Sequence, residues 1–137
     1  MQEIKALFDG DAFARHQGIE LLEVAPGRAK ARMPLGEAHR NALGGVHGGA
    51  IFALADFVFA AASNSHGTLA VAINVSISFL RPPRGDMLHA EGVEISRSRR
   101  LGSYTIRVTE DDDQLVAIFQ GMVYRRDDPL PGAAPQT

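Results

Sequence analysis

The residues best suited to chemistry lie in one short stretch, HGGAIFALADFVFAAA, which runs from His47 to Ala62. Two glycines open an apolar run, and a single carboxylate, Asp56, sits inside it. Moving a carboxylate from water into an apolar interior costs several kcal/mol unless it is paired, hydrated or protonated. That cost is of the order of a whole domain's stability. No Lys or Arg lies between Arg40 and Arg81, and the helical neighbours of Asp56 at three and four positions are Phe52, Ala53, Phe59 and Ala60. Two readings follow. Either a distant segment hydrogen-bonds the acid or a wet crevice receives it, or Asp56 is a base strengthened by desolvation.

Gly48 and Gly49 stand where a helix would begin. There the first backbone N–H groups lack intrahelical acceptors and the macrodipole is positive. Such a place holds an anion, either a phosphate or the oxyanion of a tetrahedral intermediate, and glycine lets the ligand approach closely. A tight turn and close packing account for the same glycines equally well. Geometry then constrains the two features together. Eight residues on one helix separate Gly48 from Asp56 by about 12 Å along its axis, whereas a reacting carbonyl needs both donor and base within about 3 Å. Two antiparallel copies of the helix resolve this, each supplying one half of two composite sites in a C2 dimer.

The elements that must position these groups are legible in outline. Apolar residues at Ile4, Leu7, Phe8, Ala12 and Phe13 predict an amphipathic helix over Ile4 to His16, weakened at Gly10. Two extended segments around Pro26-Gly27 predict a hairpin. The run after His47 contains no Pro and ends in Asn64, Ser65, His66 and Gly67, so it reads as the one long helix. Being apolar around most of its circumference, it must be enclosed. In AVAINVSISFL the odd positions from Val71 to Phe79 are apolar and Asn74, Ser76 and Ser78 are polar, the period of a half-buried strand. Three further strands follow RPPRGD, joined by Leu101-Gly102 and by Asp111 to Asp113, as in a meander. The pattern is α+β, an antiparallel sheet wrapped around one central helix. Residues 1–126 form one domain, and the Pro-rich tail 127–137 reads as disordered.

Composition narrows the function classes. With 137 residues and 45% hydrophobic content the chain suits one ordinary domain. A net charge of −2 gives no global reason to expect nucleic acid or an anionic membrane as partner. The absence of cysteine excludes disulfides, thiolate nucleophiles and Cys-based zinc sites. The N-terminus has acids among its apolar residues and does not read as a signal peptide, so a cytoplasmic location is the expectation. The histidines at 16, 39, 47, 66 and 89 show no metal-ligand spacing and no acids clustered with them, and are expected at the surface; no metal site is expected. No GxSxG and no phosphate-loop Gly-Lys-Ser/Thr occurs.

Asn41, HGG at 47–49, FALAD at 52–56, SFLRP at 78–82 and GD at 85–86 together resemble the hotdog-fold acyl-CoA thioesterases, specifically the phenylacetic-acid-degradation subfamily. The resemblance covers about Phe13 to Arg125. It implies hydrolysis of acyl-CoA thioesters, with coenzyme A as part of the substrate and no separate cofactor, in a dimer whose sheets join and which commonly pairs again into a tetramer. On matching positions it implies that Asp56 is the catalytic carboxylate, Gly48 the oxyanion donor, Asn41 an amide orienting water or thioester, and His47 a residue shaping the turn. Some relatives place a water-positioning hydroxyl on a strand near the acid. Ala72 falls there, and Asn74, Ser76 and Ser78 share its parity. Candidates for contacting substrate or CoA are Gly49, Asn74, Ser76, Arg81, Arg84, Arg100 and Ser103, the arginines as phosphate ligands or simply as solvated strand-end charges. Leu43, Phe52, Phe57 and Phe59 offer apolar surface for an aryl or medium-chain acyl group, or belong to the core. Two other readings stand beside this one: a non-catalytic acyl-CoA-binding module, which would not need Asp56, and a hotdog hydratase or dehydratase, which would pair an acid with a catalytic histidine.

Overall fold

A computed structural model describes residues 1–131. The helix expected over Ile4 to His16 is divided into α1 (Gln2–Asp9) and α2 (Ala12–Gln17). Gly10 ends the first, and the Asp11 side chain accepts the Ala14 N–H at 3.0 Å to start the second. An N-cap that satisfies a free amide outweighs continuation through glycine. The hairpin forms as expected from β1 (Glu20–Ala25) and β2 (Arg28–Pro34), with Gly27 at φ 71°, the left-handed backbone its turn requires. The long helix is α3 (Gly48–Ser63), and β3 (Thr68–Phe79), β4 (Met87–Arg97), β5 (Leu101–Thr109) and β6 (Leu115–Pro129) complete the chain.

The six strands make one antiparallel sheet in the order β1-β2-β4-β5-β6-β3. The meander β4-β5-β6 is as read, but β4 inserts beside β2 and sends β3 to the far edge next to β6. The sheet curls around α3 in the hotdog arrangement. Ala29, Ala31, Met33, Leu88, Ala90, Tyr104, Ile106, Val108, Phe119 and Val123 line the buried inner face against Leu54, Ala55, Val58, Phe59 and Ala62. Two glycines permit this close approach. A Cβ on Gly121 would meet the Phe59 ring at 2.6 Å, and one on Gly92 would meet Val58 at 2.8 Å. Phe59 is wedged between Tyr104 and Phe119, with ring centroids 5.9 and 5.4 Å away, so it cannot yield easily.

Over its first four residues, 127–130, the expected tail is instead ordered. Asp127 to Pro129 continue β6, and Leu130 is buried and donates its N–H to the Gly67 carbonyl. A buried apolar anchor and an inter-segment hydrogen bond offset the cost of ordering this polar stretch. The rest of the expected tail, 132–137, lies outside the described residues.

The alternation predicted for β3 holds only over its second half. Ala72 pairs with Val123 and Asn74 with Met122, so Ile73 is the extra residue of a β-bulge. Directly opposed residues share a face. Ala72 therefore points inward with the buried Val123, while Asn74, Ser76 and Ser78 lie opposite Met122, Gln120 and Ile118 on the outer face. After the bulge, Val75, Ile77 and Phe79 are the inward residues. The shared parity of Ala72 with Asn74, Ser76 and Ser78 is thus removed by one inserted residue.

Candidate active site

The loop before α3 is built by its own polar groups. Asn41 Oδ1 accepts the N–H groups of Leu43 and Gly45 at 2.9 and 3.1 Å, and the Asn41 N–H donates to the Gly45 carbonyl. Its Nδ2 hydrogens have no partner among the described residues. Contrary to the surface placement expected of it, His39 is buried. Its Nδ1 accepts the Gly36 N–H, which leaves the ring proton on Nε2, donated to the Gln17 carbonyl at 2.6 Å. The loop is thereby bracketed to the end of α2.

At the helix start, His47 Nδ1 accepts the Gly49 N–H at 2.8 Å. The Ala50 and Ile51 N–H groups both donate to the His47 carbonyl. The Gly48 N–H has no hydrogen-bond partner among the described residues. Of the helix's opening amides, it is therefore Gly48 that is left to an incoming anion, where the macrodipole also favours negative charge. Gly49, also a candidate, already donates to His47.

Asp56 lies two turns further along the same uninterrupted helix. It belongs to a half-exposed stripe with Phe52, Ala53 and Ala60, beyond which Gly49 is exposed, on a helix otherwise closed in by the sheet. Burial pushes its carboxyl above the ordinary aspartate range, and the negative charge of Asp11 adds to the effect. No cation faces it in sequence or as an ion pair among the described residues. Asp11 was invisible to sequence reasoning as part of this site. Its N-capping role is readable from GDAFAR, but its approach to Asp56 depends on α2 packing against α3.

The remaining candidates are not gathered here. Asn74, Ser76 and Ser103 line a shallow concavity of about 370 Å³ on the outer face of the sheet with Gln120 and Met122, away from α3. Arg81 is engaged with the buried Glu110 and with Gln114, and Glu110 also accepts the backbone N–H groups of Arg84 and Gly85. Arg100 forms a two-pronged pair with Asp127 and donates to the Arg125 carbonyl. The Arg84 guanidinium makes no bond among the described residues. Phe57 and Phe59 are core, Phe52 packs against Phe119 at 5.5 Å, and Leu43 is 95% exposed.

Two histidines do acquire acidic partners, contrary to the expectation from spacing. His66 is 3.0 Å from Glu94, and His89 is 2.5 Å from Asp111. The separations of 28 and 22 residues hide both pairs in the sequence. His66 follows the C-terminal end of α3, the opposite end from Gly48. Glu94 there is pushed up by burial, but hydrogen bonds from Tyr104 and His66 and the nearby Arg97 hold it below its usual range.

Residues 43–117 match the model of the thioesterase superfamily. The chain belongs to that superfamily. As a member it is a thioester hydrolase, and the matched segment contains the free Gly48 amide and Asp56. It is 34% identical to the acyl-coenzyme A thioesterase PaaI of Escherichia coli, over 97% of this chain and 96% of that one. The solved structure of the E. coli PaaI protein superposes on this thioesterase with a TM-score of 0.88, covering 93% and 94% of the two chains. A point mutant of the phenylacetic acid degradation protein PaaI from Thermus thermophilus is 37% identical with a TM-score of 0.81, over 85% of this chain and all of that one. The acetyl-CoA-bound smu.793 protein of Streptococcus mutans is 25% identical with a TM-score of 0.77, over 82% and 91%.

Proposed function

We propose that this thioesterase hydrolyses acyl-CoA esters with an aryl-acyl or medium-chain acyl group, in sites completed between two subunits. The observation that carries the reading is the unpartnered Gly48 N–H at the start of α3, on the same helix as a half-buried carboxylate whose pKa is raised. The Gly48 N–H donates a hydrogen bond to the carbonyl oxygen, which accepts it more strongly as negative charge develops there. Asp56 takes a proton from water as the water oxygen bonds to the carbonyl carbon; the C–S bond then breaks, and the CoA sulfur leaves with the electron pair and is protonated. An alternative on the same atoms has an Asp56 oxygen bond to the carbonyl carbon as the C–S bond breaks and the CoA thiolate leaves and is protonated, giving a mixed anhydride that water opens to the free acid and the Asp56 carboxylate. A thiol leaving group of pKa about 8.5, by analogy with cysteine, needs little acid assistance, which suits so sparse a site. The Asn41 Nδ2 hydrogens are available to orient the thioester, and of the candidates Arg81, Arg84 and Arg100 it is Arg84 whose side chain is uncommitted among the described residues and free to reach a CoA phosphate.

The same separation of about 12 Å along α3 supports composite sites. So does the β3 edge, which is twelve residues long, uncharged, and exposes Val71, Ile73, Val75 and Phe79. The opposite edge, β1, is six residues long, bulged, and carries Glu20 and Glu23, devices that discourage pairing. A second copy pairing along β3 would join the sheets and set the two α3 helices side by side. Val93, Ile95, Leu101, Met122 and Tyr124 leave an apolar outer face that suits a further pairing of dimers. Thiol release from a panel of acyl-CoAs tests the function. Asp56→Asn should lower kcat by about 10²- to 10⁴-fold. Wild-type turnover no faster than the variant's would instead favour the acyl-CoA-binding module.

A further inference from the structure

Phe79 is the last residue of β3 and, being paired with Ala117, points toward α3. Yet its side chain is 53% exposed. The edge of its ring lies 3.4 to 3.9 Å from the position that a Cβ on Gly48 would take, so the ring stands directly beside the residue whose N–H is unpartnered. A carbonyl oxygen held by that N–H sits about 2.9 Å from the nitrogen. An acyl group attached to that carbonyl therefore starts from a residue that the ring adjoins. Phenyl offers no donor or acceptor to the amides of the pantetheine arm, but it offers a flat apolar wall to a hydrocarbon. Of the residues singled out in the sequence for acyl contact, Phe52, Phe57 and Phe59 are packed against other aromatic rings, while Leu43, 95% exposed, sits in the loop before α3.

We infer that Phe79 is the specificity-determining wall of the acyl site, reading the acyl group from beside the oxyanion donor; this rests on the thioesterase reading above. The side chain contributes apolar area that bulky or aryl acyl groups cover and an acetyl group barely touches. Discrimination between acyl groups therefore passes through this ring.

The test compares phenylacetyl-, hexanoyl- and acetyl-CoA with wild type, Phe79→Ala and Phe79→Leu, following kcat/KM by thiol release and assembly by sedimentation. Phe79→Ala should lower kcat/KM for phenylacetyl- and hexanoyl-CoA about tenfold more than for acetyl-CoA, with Phe79→Leu restoring hexanoyl-CoA more fully than phenylacetyl-CoA. An equal fall for all three esters overturns the inference, because the ring would then serve the shared CoA moiety or the packing of Gly48. Dissociation of both variants with an equal loss for every ester also overturns it, since the ring would then be subunit packing. The same comparison of binding affinities in the Asp56→Asn background separates the inference from the reaction. A Phe79-dependent preference for phenylacetyl-CoA over acetyl-CoA in that background supports the wall even if wild type hydrolyses nothing. Absence of that preference alongside wild-type hydrolysis overturns the wall and leaves the thioesterase reading standing.

Discussion

Asp56 is held where its charge is unfavourable, and that placement has two measurable consequences. Its folded-state pKa lies above the unfolded value, so the folded protein binds more protons in between and stability falls as pH rises through that window. At neutral pH the ionised acid therefore costs stability, and Asp56→Asn should raise the midpoint of thermal unfolding while removing activity. With Asp56 as the proposed base, the acid limb of the kcat/KM profile should lie above the ordinary aspartate range. Asp11 contributes to that position through its charge. Asp11→Asn keeps a side-chain oxygen able to cap α2 but removes the repulsion. The expected result is a limb displaced to lower pH with folding little changed; a limb that stays in place would show that burial alone sets the pKa.

At the scale of elements, the start of α3 can be tested apart from the helix it begins. His47 adopts φ −67° and ψ 133°, the extended backbone that a residue before proline prefers, and proline is well tolerated at the first helical position. Gly48→Pro should thus preserve α3 while deleting the one N–H assigned to the oxyanion. Circular dichroism should stay near wild type and kcat fall by about 10²- to 10³-fold. The packing of α3 against the sheet has its own test. Gly121→Ala drives a methyl group into Phe59, which Tyr104 and Phe119 hold in place, and should destabilise the protein by about 1–3 kcal/mol in denaturant titrations. Because Phe59 lies on the closed side of α3, the acid limb of the pH profile should not move.

For the whole molecule, composite sites predict complementation. In the proposed arrangement, Gly48→Pro and Asp56→Asn each damage a different half of every site. A mixed dimer would keep one intact site, built from Gly48 of one subunit and Asp56 of the other. Two inactive variants, unfolded together and refolded at equal ratio, should recover about a quarter of wild-type activity, since half the dimers are mixed and each holds one good site of two. Recovery no greater than the sum of the separate variants would show that each subunit works alone.

Much of this arrangement was legible because it is local. The period of the apolar residues marks α3 and the meander, glycine and proline mark the turns, and the eight residues between Gly48 and Asp56 set a distance that any fold containing a straight helix must respect. Residues with long-range partners were less legible for the same reason. The bulge at Ile73, which turns Asn74 and Ser76 outward, depends on registry with β6, a strand far along the chain. Arg81 and Arg100 read as phosphate ligands or as solvated strand-end charges, and their partners Glu110, just past β5, and Asp127, in β6, are too distant in the chain to be foreseen. His39 looks like a surface residue until Gln17 and Gly36 enclose it. Sequence determined the helix, its unpaired acid and the spacing of the site, because backbone propensity and apolar period act over a few residues. Only the tertiary structure decided that Asp11 bears on Asp56 and that Phe79 stands beside Gly48, because those facts belong to contacts between groups that the chain order does not bring together.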